Sequence, residues 1–275
     1  MQIPDEIRKC VGFICYKARG KMKFGGTAFF VGVELEGTGR SSVYIITAKH
    51  VIDEIRRASD DRIVYLRMNL INGGSRLIRV QMDRWVFHPT EWNVDVAVLN
   101  WVPKQEEYDY LVLPVKYAGT EDIIKKENIG VGDDVFLVGL FASHSGSKRN
   151  LPIIRVGNIA SMPEEKVHTE EFGDIDAYLV EARSIGGLSG SPVFAYMGEM
   201  RKVDNIMKLS RKGLPLLYWL GLMHGHFYLS ESEIQVNMGI AIVVPTWKIL
   251  EVINQEVFMK AREKIIKEIT KGAGR

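Results

Sequence analysis

Gly186-Gly187-Leu188-Ser189-Gly190-Ser191-Pro192-Val193-Phe194 is the stretch on which the reading of this chain turns. Three glycines bracket a serine, and Pro192-Val193-Phe194 then opens an extended apolar run. Alone, that is ordinary turn chemistry ahead of a strand. Two upstream stretches change its weight. Tyr44-Ile45-Ile46-Thr47-Ala48-Lys49-His50-Val51 reads as a strand ending in a histidine, and Asn93-Val94-Asp95-Val96-Ala97-Val98-Leu99 places an acid inside an otherwise apolar strand.

Working outward, short runs rich in Val, Ile, Tyr and Phe recur between Gly, Asn and Asp clusters, the pattern of an all-β chain. One set comprises residues 11–17, 26–35, 42–47, 63–69, 76–87 and 94–101; a second comprises 134–141, 152–160, 177–182, 192–196, 216–224 and 238–244. The expected fold is therefore all-β, two units of six strands each followed by a C-terminal α-helix. The boundaries are 1–115 for a unit carrying His50 and Asp95, 116–132 for a connection, 133–245 for a unit carrying Ser189, and 246–275 for the helix. Glu121–Asn128 is expected to form a short helix. Thr246 is expected to cap the last helix, whose Ile249, Leu250, Ile253, Val257 and Ile265 recur at helical spacing.

Composition limits the function classes. The 275 residues are 46% hydrophobic and 25% charged, which excludes a disordered or collagenous chain. Thirty-six Lys+Arg against 34 Asp+Glu leave a net charge of +2, no footprint for nucleic acid. Cys10 and Cys15 lie five positions apart in a strand-like run and point to opposite faces, so neither a disulfide framework nor a structural zinc site is expected. The N-terminus carries Asp5 and Glu6 where a leader would carry lysines, and the apolar stretch 10–16 reads as a strand. The longest apolar run, 214–223, is about half a membrane span. A reduced, cytoplasmic protein without membrane contact is the expectation.

A histidine, an aspartate and a serine in that chain order form one of the three known orders of the acyl-transfer triad. The surrounding residues make the combination specific. The chain resembles the trypsin-like (chymotrypsin-fold) serine peptidases, particularly bacterial Deg-type and glutamyl-endopeptidase-like branches without a PDZ domain. The likeness rests on Gly26-Thr27-Ala28-Phe29, on Thr47-Ala48 before His50, and on His88-Pro89 ahead of Asp95-x-Ala-Val-Leu. It rests also on the Gly187-to-Phe194 pattern and a closing Gly239-Ile240-Ala241-Ile242. It spans roughly residues 10 to 250 and implies two Greek-key β-barrels with the site between them.

The resemblance implies a serine endopeptidase acting on proteins or peptides, with no metal and no other cofactor. His50 is the expected base for Ser189 and later the acid to the leaving amine, and Asp95 fixes the imidazole tautomer. The oxyanion hole implied by the family pattern is the backbone N–H of Gly187 and of Ser189. Spacing alone also admits Ser191 as nucleophile; the family pattern puts it at Ser189. Leu188 stands where many secreted relatives carry an aspartate, so activation by insertion of a freed N-terminus is not expected.

For the substrate, Arg183 and Ser184 occupy the positions that line the specificity pocket. A cation there favours an acidic P1 side chain, unless Arg183 turns out to solvent. Met223, His224 and Gly225 lie on the edge expected to pair with substrate backbone. Glutamyl-specific relatives carry a histidine where this chain has Met223, which leaves a medium apolar P1 as the alternative. His224-x-His226 is half of a metal site without a convincing third ligand. Broad proteolysis inside a cell is toxic, so narrow specificity or activation by a protein partner is expected. The oligomeric state is left open. The rival reading is a catalytically latent protease-fold scaffold.

Overall fold

The computed structural model describes residues 1–182, 187–198, 200–203, 206–209, 216–229 and 236–273. Its first unit is an eight-stranded sheet built from β1 (Val11–Ala18), β2 (Lys21–Leu35), β3 (Arg40–Thr47), β4 (Ile63–Asn69), β5 (Ser75–Gln81), β6 (Val86–Phe87), β7 (Ala97–Asn100) and β8 (Leu113–Pro114). The order is β5-β4-β1-β2-β3-β7-β6, with β8 running parallel to β2. β2 bends where Gly25 stands as an extra residue: Ile14 faces Gly26 and Cys15 faces Phe24.

The second unit contains β9 (Asp134–Gly139), β10 (Ile153–Ser161), β11 (Val167–Thr169), β12 (Gly173–Ile175), β13 (Tyr178–Glu181), β14 (Pro192–Tyr196), β15 (Met200–Val203), β16 (Ile206–Leu209), β17 (Leu217–Leu229) and β18 (Val236–Pro245). Six of these close a barrel in the order β10-β13-β18-β17-β14-β9. The pairs β11-β12 and β15-β16 are separate two-stranded hairpins. The chain is thus all-β with a closed six-stranded barrel, of the chymotrypsin-like class. The first unit departs from a plain six-stranded count because two short strands join it, β6 at the edge beside β7 and β8 alongside β2.

Four α-helices accompany the sheets among the described residues: α1 (Lys49–Ala58), α2 (Glu121–Lys126), α3 (Thr246–Ile253) and α4 (Glu256–Ala273). α1, not anticipated from the strand pattern, directly follows β3 and buries Val51, Ile52 and Ile55 at helical spacing. α2 falls where a short helix was expected, capped by Thr120, whose Oγ1 accepts from the Ile123 N–H. The single C-terminal helix is two. Thr246 does not cap it: Pro245 is the N-cap residue, and the Thr246 hydroxyl donates to the Gly119 carbonyl at 2.7 Å. The break between α3 and α4 also shifts the buried face. Val252 and Phe258 are buried, whereas Val257, expected on the apolar face, is exposed.

This ending ties the two units together. α3 leaves the second barrel and α4 packs back on the first, with Phe258 edge-on to Tyr44 at 5.2 Å and Arg262 Nη1 donating to the Tyr44 hydroxyl at 2.7 Å. β3 is consequently covered on both sides and buried from Ser42 to Thr47. One apolar cluster runs from Phe29 and Ile46 in the first unit through Trp219 and Leu222 to Ile249 and Phe258. Residues 146–150 are pinned to the first unit. Buried Arg67 donates to the Gly146 and Ser147 carbonyls (2.9 and 3.1 Å), and Asn150 N–H donates to Asn69 Oδ1 (2.6 Å). No helix among the described residues is long and apolar enough to cross a membrane.

Candidate active site

His50 is the second residue of α1, placed by the strand-to-helix turn after Thr47. Asp95 lies in the segment just before β7, not inside the strand as its apolar neighbours suggested. The two meet closely. Asp95 Oδ1 accepts the His50 backbone N–H at 2.8 Å, and Oδ2 accepts the His50 Nδ1–H at 2.7 Å. An ionised carboxylate only accepts, so Nδ1 carries the proton and Nε2 of the neutral ring is the acceptor. Asp95 is fully buried, while the His50 side chain keeps 19% of its surface exposed.

The electrostatics follow from that burial. Desolvation opposes the Asp95 charge, yet the imidazoles of His50 and His224 hold its pKa well below the usual carboxylate range. Burial likewise disfavours the charged His50 ring, and the adjacent Asp95 carboxylate outweighs it, so the His50 pKa is raised. Glu171 and Glu54 add to that rise.

Ser189 sits in the turn leading into β14 and is half-buried; Ser191, two residues on, is fully buried. The Ser191 hydroxyl lies against the backbone of Gly139, where any Cβ would collide with it. The serine turn is held by the first unit through Thr27. Its N–H donates to the Ser189 carbonyl, its Oγ1 donates to the Gly187 carbonyl, and the same Oγ1 accepts the Leu140 N–H, all at 2.9 Å. Gly187 and Gly190 both have positive φ, +99° and +82°. At Gly190 a side chain would also strike the Thr27 carbonyl and the Thr47 hydroxyl, so both the dihedral and the close approach of the units require glycine. Among the described residues, neither the Gly187 nor the Ser189 N–H donates a hydrogen bond.

His224 joins these parts. Its Nδ1–H donates to Asp95 Oδ2 at 2.6 Å, and its carbonyl accepts from Ser189 Oγ at 3.4 Å. The hydroxyl of Ser189 thus points to a carbonyl rather than to the His50 ring. The pairing of β17 with β18 explains the placement: Met223 faces Val243 and Gly225 faces Ile242, leaving His224 as the extra residue of a bulge. Met223 turns into the interior of the second barrel, 1% exposed, and His224 turns out toward Asp95. His224 is buried, with its carbonyl facing Ser189. Gly225 is half-buried with open space over its Cα. Arg183, Ser184 and Gly186 lie outside the described residues.

Sequence reasoning did not single out the β11-β12 hairpin. It carries Phe172 edge-on to His224 at 5.2 Å, with Trp92 stacked on Phe172 at 6.5 Å and the Lys49 ammonium 5.2 Å over the same ring. No local signal marks this contact, which joins residues far apart in the chain. The ligand-capable atoms of His50, Asp95 and His224 converge within 4.8 Å, and two N–H donors on one carboxylate oxygen account for the convergence. His88, Glu91 and Glu251 also converge, and there the Lys248 ammonium already sits on both carboxylates.

A family model described as a trypsin-like peptidase domain matches residues 26–201. No curated protein sequence matches the chain. Among solved structures, the protease domain of MamO from Magnetospirillum magneticum superposes with a TM-score of 0.53 at 13% identity, over 90% of this chain and 96% of that one. The crystal structure of Deg5 superposes with a TM-score of 0.50 at 16% identity, over 89% of this chain and 87% of the other. At such identities the likeness is one of fold.

Proposed function

The chain belongs to the trypsin-like peptidase family, and from that premise we propose that it is a serine endopeptidase whose nucleophile is Ser189, base His50 and orienting acid Asp95. The observation that carries this reading is the His50–Asp95 geometry. One carboxylate oxygen holds the backbone of His50 and the other holds its Nδ1–H, which fixes both ring orientation and tautomer. Nε2 then takes the Ser189 proton as the hydroxyl attacks the peptide carbonyl, and returns it to the leaving amine; water hydrolyses the acyl-enzyme by the same route. The N–H groups of Gly187 and Ser189 receive the developing oxyanion, a contact worth about 3 kcal/mol per donor. The burial of Ser191 supports Ser189 as nucleophile. Narrow specificity or activation by a protein partner completes the proposal. Acidic and medium apolar P1 residues are its two alternatives.

One observation favours a second reading, a latent protease-fold scaffold: Ser189 Oγ is bonded to the His224 carbonyl and not to His50. Fluorophosphonate labelling of wild type, Ser189→Ala and Ser191→Ala separates the two, because acylation-type chemistry requires an activated serine. Labelling lost only in Ser189→Ala supports the peptidase. A folded wild type that takes no label supports the scaffold. A P1-varied peptide library then reads specificity, and cleavage after Asp or Glu that disappears in Arg183→Ala assigns the pocket cation.

A further inference from the structure

Asp95 Oδ2 accepts two imidazole N–H groups, from His50 at 2.7 Å and from His224 at 2.6 Å, inside a site where the carboxylate has no solvent contact. The His50 backbone N–H on Oδ1 brings the donors to three. An ion so placed is the strongest local charge, and each donor withdraws part of it. A hydroxyl or amide would satisfy the same lone pair. The placement is also built rather than incidental. The β17 bulge adds one residue so that Met223 stays in the barrel while His224 reaches Asp95, and Phe172 packs edge-on against the His224 ring to hold it there.

We infer that His224 is a positioning residue that shares the Asp95 carboxylate with His50 and thereby sets how basic His50 is. This rests on the reading of His50 as the base for Ser189. In the neutral-Ser189 state both rings divide the anion. When His50 takes the serine proton, the imidazolium faces a carboxylate already half engaged, so His50 is a weaker base than one with Asp95 to itself. The consequence is activity that extends to lower pH. Other charges face the pair from each packed element: Glu54 and Lys49 from α1, the latter paired with Asp53 at 3.2 Å, and Glu171 from the β11-β12 hairpin. These are common to every variant below, so differences report on His224.

The test is the pH dependence of fluorophosphonate labelling in wild type, His224→Phe and His224→Gln. Losing the donor in His224→Phe returns the full anion to His50 and moves the acid limb of the profile upward by about one pH unit, so labelling on that limb falls about tenfold. His224→Gln, which keeps an N–H donor, restores a limb close to wild type. A uniform fall in rate with an unmoved limb, or a limb that moves downward, overturns the inference. Histidine ¹⁵N NMR on Ser189→Ala needs neither activity nor a His224 variant that folds. It is expected to show Nδ1 protonated in both His50 and His224, and a His224 proton on Nε2 overturns the inference. Absent labelling in wild type with both Nδ1 protons present would instead sink the peptidase reading alone.

Discussion

Thr27→Val is the perturbation that most directly tests how the serine turn is held. Thr27 is fully buried, and its Oγ1 both donates to the Gly187 carbonyl and accepts the Leu140 N–H. Valine keeps the shape and the backbone bond to Ser189 while removing both side-chain bonds. Leu140 is fully buried and its orphaned N–H bears the whole penalty; Gly187 is half-buried and regains some water. With about 1–3 kcal/mol for each unpaired group, offset by about 0.8 kcal/mol for the added methyl, the net loss is about 2–3 kcal/mol. For a chain this long the unfolding entropy is roughly 0.6 kcal/mol/K, so Tm falls by about 3–5 °C. The Gly187–Ser189 backbone also loses its lateral tie, and a misplacement of the attacking group slows fluorophosphonate labelling by roughly ten- to a hundredfold. Urea unfolding followed by tryptophan fluorescence reads the first effect and labelling kinetics the second. Thr27→Ser keeps both bonds and is expected to label near the wild-type rate. A Thr27→Val protein as stable as wild type to within about 0.5 kcal/mol, labelling at the wild-type rate, would refute the reasoning.

Two further outcomes are expected. The raised His50 pKa means that the fold favours the protonated ring. Its stabilising contribution is complete below the ordinary value of 6.5 and is lost as pH rises through the higher folded value, whereas labelling, which needs the neutral ring, rises over that same interval. The stability difference between wild type and His50→Gln therefore narrows as pH rises above 6.5, and a widening difference in urea titrations would contradict this. At the back of the site, Lys248 Nζ binds both Glu91 oxygens (2.8 and 3.0 Å) and Glu251 (3.4 Å), which lowers the Glu91 pKa and clamps α3 to the segment carrying Asp95. Both glutamates are more than a third exposed, so screening limits the loss in Lys248→Met to about 1–2 kcal/mol. That deficit is expected to shrink in about 1 M salt; a salt-independent deficit would point to packing alone.

The residues of the proposed triad also show why the candidate site sits at the junction of the two units. His50 and Asp95 come from the first and Ser189 from the second, and the Thr27 bonds, the Gly190 approach and His224 all cross between them. α4 then returns from the second unit to cover β3 of the first. A substitution that loosens this junction acts on stability and on geometry together.

Strand-forming runs, the Gly-Ser-Gly turn and the isolated acid are local signals. Alternation, turn chemistry and a charge among valines are written in consecutive residues, so the all-β class and the identity of His50, Asp95 and Ser189 as candidates were legible without coordinates. α1 was legible in principle, since Val51, Ile52 and Ile55 recur at helical spacing, but the preceding strand masked it. What lies in contacts between distant residues was not legible. Whether His224 faces solvent or Asp95 depends on a one-residue bulge fixed by the pairing of β17 with β18, and its bond to Asp95 spans 129 positions. The division of the last helix, the tie of Arg67 to residues 146–147 and the docking of Phe172 on His224 have the same origin. Sequence carries the propensities and the chemical groups; only the tertiary structure decides which buried group meets which, because a hydrogen bond or a packed ring is satisfied by proximity in space and leaves no trace in spacing along the chain.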